Sequence, residues 1–274
     1  MLQQGIFDWS RVDVAVPRRS ARLPGVSMAG FRQHLPAPAE IAMVAHPSVT
    51  VIVDLSERGI VYDTSGRRER GSIVAGLIPG EVRGGGEGFG ECLQLRLTPV
   101  VSATVLGAAA ELSGTMVSLS DVWGRDAGRF EDRLRSAGSW DDRFAIAAEV
   151  LRRRLDARRA VSPEVAHVWR RTLAGRGQAR VDDLAGEVGW SRKRLWSRSR
   201  SQLGITPKRA AQLVRFDHAA HRLAAGHAAA AVAAECGYVD QSHLNREVRT
   251  FTGLTPTALA AAPWLAIDDV AWPA

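Results

Sequence analysis

Cysteine is nearly absent from this chain, with only Cys92 and Cys236 in 274 residues. Two thiols so far apart build neither a disulfide framework nor a thiolate-rich metal site, so a reducing compartment, the cytoplasm, is expected. Long apolar runs are missing as well. No stretch reaches the ~18 apolar residues of a membrane span, and the opening MLQQGIFDWSRVDVAVPRRS carries no signal-peptide core. Histidine is scarce early on: only His34 and His46 precede residue 160, which argues against a multi-histidine metal site there. The chain also lacks a Gly-x-Ser-x-Gly elbow, a His-Glu-x-x-His pair and any compact nucleophile–base set. The glycine run RGGGEGFG at 83–90 has neither the spacing nor the following helix of a phosphate cradle and is expected to be a hairpin-like loop. No cofactor, no metal and no membrane partner are therefore expected.

What is present is a basic, well-packed chain. Hydrophobic residues make up 46%, which excludes wholesale disorder, and the length suits two cores of ordinary size. The formal net charge is +7, and its position is informative. Residues 1–160 hold 21 Lys/Arg against 19 Asp/Glu, whereas residues 161–260 hold 15 against 8. The densest window, 180–209, has eight basic residues and only Asp182, Asp183 and Glu187 in opposition. A solvated surface or a polyanion-binding face would both produce this excess.

Periodicity changes near residue 160. The first hundred residues read as short strands: VTVIVDL at 49–55, GIVYD after the Glu57–Gly59 turn, SIVAGLI at 72–78 and ECLQLRLTP from Glu91. In the last of these, Leu93, Leu95 and Leu97 alternate with polar residues, the period of a half-buried antiparallel strand. Helical spacing follows. Leu106, Ala109, Ala110 and Leu112 line one face of a short helix, and further helices are expected at Ala127–Ser136 and Asp141–Arg158. From Ser162-Pro163-Glu164, a strong helix start with Ser162 as the cap, the pattern is wholly helical. The fold class is α+β: a strand-rich, barrel-like N-terminal domain with trailing helices, then an all-α C-terminal domain. The boundaries fall at 1–158 and 162–262.

Two stretches of the helical half repeat one another, LAGEVGWSRKRLWSRSRSQLGITP at 184–207 and VAAECGYVDQSHLNREVRTFTGLTP at 232–256. Each has Ala four residues before a Gly (Ala185/Gly189, Ala233/Gly237), then an aromatic, a capping residue, a helix with an inward Leu, and Gly-x-Thr-Pro. The distance from first to last Gly is 15 in one copy and 16 in the other. Small Ala permits close helix crossing, Gly supplies the turn, Ser191 or Asp240 caps the second helix, and Gly-x-Thr-Pro stops it. This is a helix-turn-helix built twice. A connecting helix from Lys208 to Ala225 places Leu213, Phe216, Ala220 and Leu223 on one stripe.

These residues resemble the DNA-binding domain of the AraC/XylS family of bacterial transcription regulators over about 100 residues. The likeness rests on Leu184-Ala185, Gly189, Ser191 and Gly204-Ile205-Thr206-Pro207 in the first unit. In the second it rests on Gly237-Tyr238-Val239-Asp240-Gln241-Ser242-His243-Leu244-Asn245-Arg246 and Gly253-Leu254-Thr255-Pro256. A weaker likeness, from Glu91 through LTPVVSATVLGAAAELSG and at LSDVWG (119–124), extends to the N-terminal domain of one subgroup. The chain departs from the family at Ser199, where an inward Phe is usual, at Ser197, often Arg, and at Val248, usually Phe. Ser199 is expected to loosen the first unit.

The resemblance implies a sequence-specific transcriptional regulator, an activator contacting RNA polymerase among the outcomes, with double-stranded DNA as partner. Each second helix enters a major groove, the two about one helical turn apart. In the first, Lys193, Trp196 and Ser197 are implied base readers; Trp196 reads a thymine methyl or a sugar, or else packs inward beside Ser199. Ser191, Arg192, Arg194, Arg198 and Arg200 suit the DNA backbone. In the second, Gln241, Ser242, Asn245 and Arg246 form the polar face, Gln241 or Asn245 suiting adenine and Arg246 guanine or phosphate. Asp240 is a cap; His243 and His218 are surface or packing residues. The N-terminal half is expected to sense a small-molecule effector or to form a homodimer; Tyr62, His46, Arg96 and Trp123 are unranked lining candidates. Two other readings stand beside this one: an enzyme with a barrel active site and an accessory DNA-binding domain, and a non-specific DNA architectural protein.

Overall fold

The computed structural model describes residues 11–272 apart from 19–22, 34–38, 44, 58, 65–66, 78–81, 87–89, 108, 158–160, 263–264 and 266. His34 lies outside the described residues.

Among the described residues, the N-terminal half holds ten strands. These are β1 (Val12–Ala15), β2 (Val26–Gln33), β3 (Ala39–Met43), β4 (Val49–Asp54), β5 (Val61–Thr64), β6 (Arg67–Arg70), β7 (Ile73–Ala75), β8 (Val82–Gly86), β9 (Glu91–Leu97) and β10 (Met116–Ser118). They form two open antiparallel sheets, ordered β1-β2-β9-β4-β7-β10 and β3-β8-β5-β6. The expected barrel-like strand domain is thus present, though its sheets do not close. β4 explains the arrangement: all six of its residues are buried. Val49, Val51 and Val53 face the helical layer, while Ile52 packs with Tyr62, Ile73, Val82 and Met116 between the sheets. A strand covered on both faces can be largely apolar, and VTVIVD is, with only Thr50 and Asp54 polar. In β9, Leu93, Leu95 and Leu97 are buried and the intervening residues half-buried, as their alternation predicts.

Two local expectations change. Arg83–Gly86, read as loop, lies in β8 and pairs with both β3 and β5. Glycine carries little strand preference, but its backbone still supplies ladder donors and acceptors between two neighbours. The apolar face from Leu106 to Leu112 belongs to two short helices, α1 (Pro99–Leu106) and α2 (Ala109–Leu112). Gly107, at φ 75°, ends the first in the left-handed conformation that a side chain would penalise.

Behind the large sheet lie α3 (Leu119–Trp123), α4 (Arg125–Arg135) and α5 (Trp140–Ala157), the last two within a residue or two of the expected limits. Their Phe130, Leu134, Phe144 and Leu151 fill the space against β4 and β9. The C-terminal half comprises α6 (Pro163–Ala174), α7 (Val181–Glu187), α8 (Arg192–Leu203), α9 (Pro207–Ala224), α10 (Ala229–Glu235), α11 (Gln241–Thr252) and α12 (Pro256–Ala260). Ser162 stands at the cap position of α6, but its hydroxyl makes no cap bond. Instead its backbone N–H donates to Gln202 Oε1 on α8 at 2.9 Å. The two halves meet where α1 and α2 pack against α8. Among the described residues, no helix is long and apolar enough to cross a membrane.

Candidate nucleic-acid interface

The two repeated stretches fold as helix-turn-helix units, α7–α8 and α10–α11, joined by α9. Their turns share construction. Gly189 and Gly237 sit at φ +65° and +74°, and the aromatic after each donates its N–H to the carbonyl of Ala185 or Ala233 at 2.9 Å. Ser191 caps α8 by accepting from Arg194 N at 3.2 Å, and Asp240 caps α11 by accepting from His243 N at 2.7 Å. Both helices run 12 residues and end on a left-handed glycine, Gly204 or Gly253. Just past α6, Gly177 allows close approach to α9: a Cβ there would collide with the Ala211 backbone.

Equivalent positions of the two helices can be compared from the caps. Leu195 and Leu244 are fully buried, as expected of the inward residues. Ser199 and Val248 occupy the next inward position and are also buried. In the second unit, Phe216 and Phe251 stack beside Val248 with ring centroids 4.7 Å apart, filling the space a larger side chain would take. The first unit's second helix gains cover of another kind, because α1 and α2 of the N-terminal half lie along it.

The opposite faces are open to solvent. On α8, Arg192, Lys193, Arg194, Trp196, Ser197, Arg198 and Arg200 are exposed, together with the capping Ser191. Trp196 is 48% exposed and lies near the Arg200 guanidinium, 5.4 Å from the ring centroid. It therefore stands on the outer face and not beside Ser199. Arg192 pairs with Asp182 on α7 at 3.0 Å, and Arg194 stacks on Trp190. Lys193, Arg198 and Arg200 have no carboxylate partner among the described residues. On α11, Gln241, Ser242 and Arg246 are exposed, as is the cap Asp240. Asn245 differs: it is half-buried, and its Oδ1 is buried without a hydrogen-bond partner among the described residues. His243 leans edge-on against Tyr238, and His218 sits 3.3 Å from an Arg176 nitrogen.

Each unit is pinned by a carboxylate that the repeat pattern does not reveal. In the first, Glu187 on α7 accepts two-pronged bonds from Arg171 on α6 at 3.0 Å and pairs with His167 at 2.8 Å. The bond from Arg171, and then that from His167, pull its carboxyl down to about 2. In the second, Glu247 on α11 is buried and binds Arg215 of α9 through both oxygens, at 3.2 and 2.8 Å. Its Oε1 also accepts from the Tyr238 hydroxyl at 2.8 Å, and Arg215 stacks on the Tyr238 ring. Helix, connecting helix and turn are thereby locked in one geometry. A bidentate pair fixes orientation as well as distance. The signal for Arg215 and Glu247 lay only in two charges on otherwise apolar faces.

The four lining candidates in the N-terminal half do not converge. Tyr62 is buried between the sheets, and Trp123 packs against Phe130 beneath the Arg154 guanidinium. Arg96 and His46 do come together, at the junction of the two halves. There Arg96 on β9 binds Asp268 at 2.9 Å, and Asp268 also meets His221 of α9 at 3.2 Å. Trp272 covers the Arg96 guanidinium at 4.2 Å from its ring centroid. His221 Nδ1 faces the Asp217 carbonyl at 2.8 Å, so it must donate, and Nε2 donates to Asp268. The hydrogen bond to Asp268 raises the imidazole to about 9. Burial opposes ionisation of Asp268, but the bonds from His221 and Arg96 hold its carboxyl down at about 2. His46 accepts from Ser48 N at Nδ1 and so stays neutral; burial, aided by Arg96, lowers it to about 3. The helical turn Asp268–Ala271 is in this way clasped to the sheet and to the connecting helix.

A cleft of about 390 Å³ opens elsewhere along the junction, between Leu77 and Ser113 on one side and Arg200, Thr206, Arg209 and Phe251 on the other. Among the described residues, no cluster of three His, Cys, Asp or Glu side chains is placed to hold a metal ion.

Residues 184–262 match a family described as a helix-turn-helix domain. Among curated proteins, none matches the chain. Among solved structures, the chain is similar to ToxT from Vibrio cholerae O395, at 8% identity over 88% of this chain and 98% of that one, with a TM-score of 0.49. Unsaturated fatty acid bound wild-type ToxT from Vibrio cholerae strain SCE256 gives 10% identity over 86% and 95%, and a TM-score of 0.49. The AraC-like transcriptional activator CuxR gives 14% identity over 71% and 82%, and a TM-score of 0.31.

Proposed function

We propose, from the AraC-type helix-turn-helix domain that residues 184–262 form, that this chain is a sequence-specific DNA-binding transcriptional regulator. The observation that carries the reading is the pair of matched units joined by α9, each presenting an exposed polar face on a capped 12-residue helix. In this reading α8 and α11 enter successive major grooves on one face of the duplex. Lys193, Trp196 and Ser197 meet base edges from the first helix; Gln241, Ser242 and Arg246 meet them from the second. Asn245 contributes through its amide nitrogen, since its oxygen is turned inward. Arg194, Arg198 and Arg200, with Arg192 when it leaves Asp182, meet phosphates.

The units divide the work. The first carries most of the uncompensated charge and supplies the salt-sensitive grip; the second, nearly neutral, supplies more of the sequence choice. A purely architectural DNA binder would have no use for Gln241 and Ser242 at the exposed start of α11. Control by a small molecule is part of the proposal. The junction cleft joins the halves beside α8, so an occupant bridging Leu77 and Arg209 would bias how α8 is held. The protein acts in the cytoplasm and as a regulator, without catalytic turnover of its own.

Selection of binding sequences from random duplexes with the full chain tests this reading. An asymmetric site of about 15–20 base pairs with two major-groove contacts is the expected result. Equal recovery of all sequences would refute it.

A further inference from the structure

The two units differ in length at one place only. From the caps onward they agree residue for residue, through 12 helical residues to a left-handed glycine. Upstream they also agree, since Trp190 and Tyr238 make the same 2.9 Å bond back to Ala185 and Ala233. Between aromatic and cap, the first unit has nothing and the second has Val239. The extra residue that lengthens the second copy from 15 to 16 is therefore Val239. No element of the turn requires it, because the first unit closes without it.

Tyr238 is drawn into the core and Asp240 is committed to the cap, which leaves Val239 pushed outward. It is 88% exposed, far more than any other large apolar side chain among the described residues. Single exposed apolar residues are ordinary on protein surfaces. This one adjoins Gln241 and Ser242 at the N-terminal end of α11, the end of a recognition helix that reaches base edges. The inward turn of the Asn245 oxygen moves the reading surface further toward that end. An apolar group in a major groove has one base feature to match, the 5-methyl group of thymine.

We propose that Val239 is a specificity-determining residue of the second unit and recognises a thymine methyl. This rests on the DNA-binding reading above. Burial of one methyl group against the isopropyl side chain sets the expected effect at roughly three- to fivefold in affinity.

The test uses the full chain and the duplex it selects from random sequence. Each thymine of the second half-site is replaced in turn by deoxyuridine, which keeps the hydrogen-bonding pattern and removes only the methyl. One replacement should weaken wild-type binding about three- to fivefold. Val239→Ala and Val239→Ser should bind the thymine duplex about that much more weakly and should not distinguish it from the deoxyuridine duplex. Their circular dichroism should match wild type, since little packs on the side chain. Wild-type indifference to every replacement, or an undiminished deoxyuridine penalty in Val239→Ala, would overturn the assignment. A selection that returns no preferred sequence removes the DNA-binding reading and this inference together; a preferred sequence read without methyl dependence removes the inference alone.

Discussion

Replacing Glu247 by alanine tests how the second unit is held. The carboxylate is 5% exposed and accepts from Arg215 twice and from the Tyr238 hydroxyl once. Its removal leaves a guanidinium only 16% exposed without a counter-ion, and a buried phenol without an acceptor. Breaking a buried pair from one side costs roughly 3–5 kcal/mol. Arg215 retains some access to water and its stacking on Tyr238, so the low end, about 3 kcal/mol, applies. For a chain of this size each kcal/mol is worth about 2–4 °C in Tm, giving a drop of about 6–12 °C by differential scanning calorimetry. Tyr238→Phe removes the phenol bond alone and should cost about 1 kcal/mol. The function should split accordingly. With α11 loosened, preference for the cognate duplex should fall, while the salt-dependent affinity for random duplex, which the proposed mode assigns to α8, should stay near wild type. A Glu247→Ala variant melting within 2 °C of wild type would refute the claim that this network fixes the second unit.

Three other outcomes follow from the same geometry. Arg246→Ala and Gln241→Ala should each weaken the cognate site by about 1–3 kcal/mol and relax its sequence preference, leaving random duplex little changed, as read by competition binding. Arg198→Ala should weaken cognate and random duplex alike and reduce the slope of log affinity against log salt by about one. At the junction, His221 is raised from 6.5 to about 9 in the folded chain. Its contribution is fully present below pH 6.5 and is lost as pH rises toward 9, so Tm should fall over that range, and His221→Gln should flatten the fall. Asp268, held at about 2 against an ordinary 3.8, acts oppositely: its share is present above 3.8 and is lost as pH falls toward 2. Asp217, pushed up to about 6 by burial, and the neutral His46 titrate below that range and leave the alkaline slope to His221. An unchanged slope in His221→Gln would show that another group sets it.

Much of this was legible in the residues because the determinants are local. The caps Ser191 and Asp240, the turn glycines 189 and 237, and the Gly-x-Thr-Pro ends act within a few positions, and they formed as their spacing implies. So did the alternation of Leu93, Leu95 and Leu97, because one period sets one face. What escaped was set by distant partners. Arg215 and Glu247 lie 32 residues apart, and Arg96 and Asp268 lie 172 apart; nothing near either member announces the other. The strand at Arg83–Gly86 was hidden by glycines whose side chains cannot signal it, and the break at Gly107 by apolar residues that continue on both sides. Trp196 could have pointed either way on periodicity, since one position off the stripe is compatible with both; in the folded chain it stands on the outer face.

In the proposed mode, two matched units read one duplex and divide grip from choice. The most direct measurement of this is the affinity of the full chain for the selected duplex and for two derivatives, each with one half-site scrambled, across a series of salt concentrations. Scrambling the second half-site should cost more than scrambling the first, and a steep salt slope should persist in both derivatives, with the intact site bound at least about 10³-fold more tightly than random duplex. Equal affinity for all three duplexes at every salt concentration would contradict that division of labour.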